Sequence, residues 1–138
     1  MLASSAAPFP GANAPAGTTI SGGAAPATRQ AALMIAGTHT EALRTTYANA
    51  EMWVVTQVGR IGSVVRASQV SSSDGPPIVV CRTMFGKRED STHDLFARVL
   101  AERVIATTGI PLTLAFALKP NMDAAQLKAI VELCCSLL

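Results

Sequence analysis

The stretch that most constrains the fold of this chain is residues 51–67. It reads EMWVVTQVGRIGSVVRA, is dense in β-branched residues, contains the only Trp, and is interrupted by Gly59 and Gly62. β-Branched and aromatic residues favour strands, and closely spaced glycines favour a tight turn, so the stretch predicts two strands joined as a hairpin. Apolar side chains fall on both faces of the first strand, which predicts a central position in a sheet.

The same kinds of pattern continue on both sides of this stretch. Four further segments alternate like strands: 30–36, 40–47, 78–85 and 111–118. Apolar residues that recur at intervals of three and four predict two helices, with Ser91 or Thr92 and then Asn121 as the expected N-caps. The sequence thus predicts an α+β domain: a mainly antiparallel sheet of about six strands with two helices on one side, in the order βββββαβα, its first five strands forming a meander.

The first 29 residues differ from the rest in composition. Ala, Gly, Pro, Ser and Thr dominate, and this composition cannot bury enough apolar surface to offset the cost of ordering the backbone. We therefore predict a disordered low-complexity tail over 1–29 and a folded domain over 30–138. A role as a tether or as a bound peptide anchored by Phe9 stays open.

Charge and hydropathy exclude several classes of function. The net charge is only +2, which gives no electrostatic reason for nucleic acid or an anionic membrane as the main partner. No apolar run is long enough for a membrane-spanning helix, and the start lacks the features of a secretory signal. A mitochondrial transit peptide is disfavoured because Arg29 is the only basic residue in the tail. We expect a cytoplasmic protein with access to the nucleus.

No set of residues predicts catalysis, a metal or a cofactor. His39 and His93 have no ligand spacing with each other or with a cysteine, and no phosphate loop or nucleophile elbow occurs. Three cysteines, Cys81, Cys134 and Cys135, lack metal spacing and are expected to be reduced and mostly buried. We therefore expect a protein that is not an enzyme and needs no cofactor.

The run Val55-Thr56-Gln57-Val58-Gly59-Arg60-Ile61-Gly62-Ser63 resembles the corresponding hairpin of the proteasome assembly chaperone 3 family, and the downstream elements follow that family's order. The similarity covers roughly 39–134, with an apolar Val58 where an aromatic is common. It implies a chaperone that acts as a homodimer or as a heterodimer with a chaperone 4-like subunit and binds α-type subunits of the 20S proteasome. The residues expected to contact a partner are Arg60, Ile61, Lys87, Arg88, Glu89 and Asp90.

A packing argument independent of the resemblance also predicts a partner chain. Six strands at ~4.8 Å spacing are roughly 29 Å wide, and two helices cover about 20 Å of one face. Whichever register holds, one of two apolar sets faces away from the helices: Trp53, Val55, Val79, Cys81 and Phe85, or Met52, Val54, Ile78, Val80 and Met84. Such a patch exceeds what a soluble monomer normally exposes. The alternative is that the sheet curls or the N-terminal segment folds over it.

Two other functions stay open on the sequence. One is a generic α+β dimerisation module that serves as a scaffold. The other is RNA binding, because Gly59-Arg60-Ile61-Gly62 has the Gly-x-x-Gly spacing of the KH module. The β-branched residues on both sides of this loop, and its single Arg, favour a strand connection instead.

Overall fold

The computed structural model describes residues 25–86 and 91–138. Six strands and two helices follow in this order: β1 (Ala27–Ile35), β2 (Thr38–Thr46), β3 (Glu51–Thr56), β4 (Ser63–Ser72), β5 (Gly75–Phe85), α1 (Ser91–Thr108), β6 (Leu112–Ala117) and α2 (Ala124–Cys135). This order and the mainly antiparallel six-stranded sheet confirm the predicted fold class.

The order of strands in space corrects the predicted hairpin and meander. The sheet runs β1-β2-β3-β6-β4-β5, with β6 inserted between β3 and β4. β6 pairs with β3 in parallel and with β4 antiparallel, and all other pairs are antiparallel. The prediction was wrong because residues 57–62 do not close a turn between neighbours. They cross over the end of β6, which a local pattern cannot reveal.

Both helices pack on one face of the sheet. β3 contributes Trp53 and Val55 to that face, and β6 contributes Leu114 and Phe116, all of them buried. The ring of Phe116 lies 5.5 Å from that of Phe96 on α1, in an edge-on arrangement. α2 contacts β1 and β2 on the same side. The predicted placement of the helices is therefore correct, and the core lies between the sheet and the helix pair.

One buried ion pair joins the sheet to the end of α2. The carboxylate of Glu51 is fully buried and accepts from Arg44 Nη2 at 2.6 Å, Arg44 Nε at 3.1 Å and Trp53 Nε1 at 2.9 Å. Arg44 also donates to the carbonyl oxygen of Leu137 at 2.7 Å, and Arg29 donates to the same oxygen at 3.1 Å. Every buried charge in this cluster thus has hydrogen-bonding partners, as burial requires.

Several predicted boundaries move. β1 begins at Ala27, so the domain starts before the predicted Gln30, while residues 1–24 of the predicted tail lie outside the described residues. β4 and β5 extend into the predicted loop and leave only Ser73 and Asp74 between them.

The N-cap of α2 is Asp123 and not Asn121. The Asp123 carboxylate accepts from the Gln126 amide, and the Gln126 side chain accepts from the Asp123 amide, which forms a capping box. Asn121 instead has a positive φ of 60°, a conformation that Asn tolerates better than most residues. The capping box explains why the helix begins later than predicted.

Candidate protein-docking surface

The sheet face turned away from the helices has no covering layer within the described part of the chain; we call it the open face. The register places Met52 and Val54 of β3 on this face, since their neighbours Trp53 and Val55 point into the core. Both are half-buried. Of the two apolar sets that the sequence left open, the open face therefore carries the one that includes Met52 and Val54.

Exposure on the open face increases from β3 towards both edges of the sheet, β5 and β1. On β5, Ile78 is 58% exposed, Val80 is 45% exposed and Met84 is 58% exposed. The register pairs Val70 with Ile78 across β4 and β5. A run of exposed large apolar side chains on an edge strand marks a protein-docking surface when it is not an aggregation site.

The second exposed feature is the segment that crosses over β6, residues 57–62, which we call the crossover loop. Its backbone bonds to β6 at both ends: Gln57 N donates to Ala117 O at 2.9 Å, and Gly62 N donates to Phe116 O at 3.1 Å. A Cβ at Gly62 would lie 3.4 Å from that same oxygen and from Ala117 Cβ. The loop therefore packs closely on β6, at a distance that is ordinary van der Waals contact for a Cβ at this position.

Thr56 holds the crossover loop in one conformation. Its hydroxyl accepts from the amides of Val58, Gly59 and Arg60 at 3.1, 2.9 and 3.2 Å and donates to the carbonyl of Arg60 at 3.0 Å. Gly59 has a φ of 72°, in the left-handed region that glycine occupies without strain. One hydroxyl thus organises the turn, which explains the Thr at this point in the motif.

Gln57 connects the crossover loop to two other parts of the fold. Its side-chain nitrogen donates to Thr40 Oγ1 on β2 at 3.1 Å, and its side-chain oxygen accepts from Lys119 N at 2.9 Å. Thr40 itself is fully buried. The Thr-Gln pair therefore has a structural role, and it leaves the loop tip rigid and accessible.

Arg60 and Ile61, two of the predicted contact residues, lie exposed at the tip of this loop. The other four, Lys87, Arg88, Glu89 and Asp90, fall outside the described residues. Strands flank the Gly-x-x-Gly segment on both sides, whereas helices flank it in the KH module. The arrangement favours a rigid protein-contact tip over a nucleic-acid clamp.

The thiols have the environment of packing groups. Cys134 is buried, and loss of hydration raises the pKa of its thiol to about 12. Burial also raises the pKa of Cys81, although the nearby Arg98 opposes the shift, and burial raises the pKa of Cys135 in the same way against Arg103. A nucleophilic cysteine needs a lowered pKa, so none of the three is activated.

Over the described ranges, 25–86 and 91–138, no group of three or more His, Cys, Asp or Glu residues is placed to hold a metal ion. Neither of the two helices combines the length and the hydropathy needed to cross a bilayer.

A two-layer α+β fold with one covered face, one open apolar face and a rigid exposed loop defines a protein-interaction module. The family model of Proteasome assembly chaperone 3 matches residues 53–135. A bovine (Bos taurus) protein named "Proteasome assembly chaperone 3" is 30% identical over 111 residues, a match that covers 77% of this chain and 90% of the bovine protein. This chain therefore belongs to the proteasome assembly chaperone 3 family.

A solved structure has the same fold. It is titled "Crystal Structure of a Novel Chaperone Complex for Yeast 20S Proteasome Assembly", and one of its chains aligns with a TM-score of 0.63 at 15% identity, covering 83% of this chain and 98% of its own length. At this level of identity the likeness concerns the fold.

Sequence reasoning singled out the tip of the crossover loop as a contact, which stays a prediction, and did not single out two charged residues of the open face, Arg66 and Arg82. The alternation in β4, where Val65 and Ala67 are buried on either side of Arg66, would have placed Arg66 opposite the core. The partner of Arg66 across the sheet depends on the β4–β5 register, and a one-residue change in register would alter it.

Proposed function

We propose that this protein is a non-enzymatic chaperone that promotes assembly of the 20S proteasome α-ring. In this proposal it works as a dimer, with a chaperone 4-like subunit or with a second copy of itself, and the dimer binds α-type subunits. Membership of the proteasome assembly chaperone 3 family supports this role, as does the name of the bovine relative. The fold shared with a chain of the yeast chaperone complex is consistent with it.

The observation that carries the dimer is the open face. It carries exposed apolar residues on β5 and half-buried Met52 and Val54 on β3, with β6 and β4 between these two strands. A stable protein interface buries about 800 Å² on each partner. A face roughly 29 Å wide and about 20 Å long along six-residue strands approaches that size. Covering it would remove apolar surface from water, which favours association.

The crossover loop is the proposed contact for the α-type subunit. Its tip presents Arg60 and Ile61, and the hydroxyl of Thr56 fixes the backbone beneath them. A preorganised contact loses little conformational entropy on binding. The complex would hold an α-type subunit in position, shield its unfinished surface and dissociate when the next subunit layer occupies that surface. Such a cycle depends on competing equilibria and requires no nucleotide.

Co-purification tests this function. The tagged chain, co-expressed with the chaperone 4-like subunit of the same organism, is mixed with each α-type subunit in turn. We expect at least one to be retained, and Arg60→Glu to weaken retention at least tenfold, because rim charges set selectivity and association rate. Arg103→Glu, an exposed arginine on α1, is the matched control and should retain wild-type binding. Retention of no α-type subunit by the chaperone pair would overturn the proposal.

A further inference from the structure

The open face carries two arginines directly opposite each other. Arg66 on β4 and Arg82 on β5 are Cα partners in the antiparallel register, so their side chains leave the sheet on the same side. Their chain neighbours Val65, Ala67 and Cys81 face the helices, which places both arginines on the open face. Both side chains are exposed.

Neither guanidinium has an ion pair or a hydrogen bond to any residue within 25–86 or 91–138. An acid on the same face, Glu41 of β2, pairs with His39 at 2.8 Å. Like charges placed directly opposite each other across two strands destabilise a sheet. The arginine pair therefore weakens the isolated domain, in contrast to the buried Arg44–Glu51 pair.

The surroundings of the two arginines are mainly apolar. Along the same face, the next pairs in register are Ser68 with Val80 and Val70 with Ile78. A partner that covers these apolar residues also removes water from Arg66 and Arg82. Dehydration of two guanidinium groups is strongly unfavourable unless carboxylates accept their hydrogen bonds, and the arginine fork suits a carboxylate that accepts two parallel bonds.

We propose that the open face docks a protein partner whose own apolar surface presents carboxylates to Arg66 and Arg82, and that this pair selects the chaperone mate. The inference rests on the proposed function, because it concerns the dimer partner. A second copy of this chain fits less well, since it brings another arginine pair and a Glu41 already bound to His39. RNA also fits less well, because Phe85 is the only aromatic residue of β4 and β5 on which a base could stack.

The proposal predicts that stability and binding respond in opposite directions to one substitution. Arg82→Glu replaces the opposed like charges with a cross-strand pair of opposite charge, so the melting temperature of the free chain should stay the same or rise. The affinity for the purified chaperone 4-like subunit should fall at least tenfold, and at least a hundredfold in Arg66→Glu/Arg82→Glu, because carboxylates would then face carboxylates. Arg103→Glu, on α1 and away from the open face, should change the affinity less than twofold.

Two further variants separate a loss of binding from a loss of folding. Arg66→Gln/Arg82→Gln removes both charges without introducing repulsion. It should lower the affinity for the chaperone 4-like subunit by less than the double reversal variant, Arg66→Glu/Arg82→Glu, does. Reversing an acid of the mate to Lys should restore binding to the double reversal variant. A wild-type affinity in the double reversal variant would overturn the inference. It would also be overturned by a homodimer that the reversals strengthen, or by single-stranded RNA retained by the wild type and lost on reversal.

The two proposals fail separately. If the chaperone pair forms in an arginine-dependent way but retains no α-type subunit, only the proposed function is wrong. If an α-type subunit is retained and the double reversal variant still binds the mate as tightly as the wild type, only this inference is wrong.

Discussion

Charged side chains are paired on one face of the sheet, and two arginines are left unpaired on the other. On the helix-covered face, Glu51 is fully buried and its carboxylate accepts three hydrogen bonds, two of them from Arg44. On the open face, Arg66 and Arg82 stand opposite each other, and neither is paired with an acid among the described residues. The covered face completes its interactions within the chain, and we propose that the open face completes them with a second molecule. The difference separates what stabilises this domain from what it presents to a partner.

The largest effect should come from breaking the buried ion pair. Glu51→Gln leaves the Arg44 guanidinium buried without a counter-charge and should lower the free energy of unfolding by about 3–5 kcal/mol. The same change at Glu41, which is exposed and bonded to His39, should cost about 1 kcal/mol or less. Denaturant unfolding followed by the fluorescence of Trp53 measures both. Equal losses at the two positions would contradict the contrast between the faces.

A single hydroxyl placed on either face gives a second, matched comparison. Val55→Thr buries a hydroxyl in the apolar core and should lower the free energy of unfolding by about 1–3 kcal/mol. Val80→Thr makes the same change on the open face and should alter the free energy of unfolding by about 0.5 kcal/mol or less. It should also lower the affinity for the chaperone 4-like subunit. Thermal or denaturant unfolding distinguishes the two, and a large loss from Val80→Thr would mean that the chain's own residues cover the open face.

The crossover loop should respond to the loss of one acceptor. Thr56→Val keeps the β-branched shape but leaves three loop amides without their hydroxyl partner, and we expect a loss of about 1 kcal/mol with faster amide hydrogen exchange at Val58, Gly59 and Arg60. Thr45→Val, on the open face of β2, is the control and should leave exchange in the loop unchanged. Unchanged loop exchange in Thr56→Val would show that the hydroxyl does not organise the tip.

The smallest effect at neutral pH concerns the thiol of the covered face. Because the folded-state pKa of Cys134 is about 12 and its ordinary value is 9.0, the folded chain holds this proton more tightly than the unfolded chain. Stability from this group is constant below pH 9 and falls as the pH rises from about 9 to 12. Cys134→Ala should flatten that alkaline decline, measured as the pH dependence of the free energy of unfolding. A decline of the same slope in Cys134→Ala would contradict this.

Much of this structure could be predicted from local patterns, because each strand and helix is encoded in its own segment. The alternation around Trp53 indicated a central strand, and the spacing of Leu127, Ile130 and Val131 indicated a helix with one buried side. The open face was predicted as well, since the strands carry more apolar residues than two helices can cover.

What could not be predicted was non-local. The insertion of β6 between β3 and β4 depends on pairing with a strand that lies some fifty residues further along the sequence. The N-cap was assigned to Asn121 because its residue type suits that role, but the reciprocal bonds of Asp123 and Gln126 decide the position. The Arg66–Arg82 pair depends on register, which no single segment specifies.

The most direct test of the central claim is the accessibility of the open face with and without partners. Hydroxyl-radical footprinting should label Ile78, Val80 and Met84 readily in the isolated chain, since all three are exposed in it. In the purified complex with the chaperone mate and an α-type subunit, the account predicts strong protection of these residues, with Leu95 on α1, also exposed in the free chain, as the reference. Equal labelling of the three residues in the free chain and in the complex would contradict the claim that a partner covers this face.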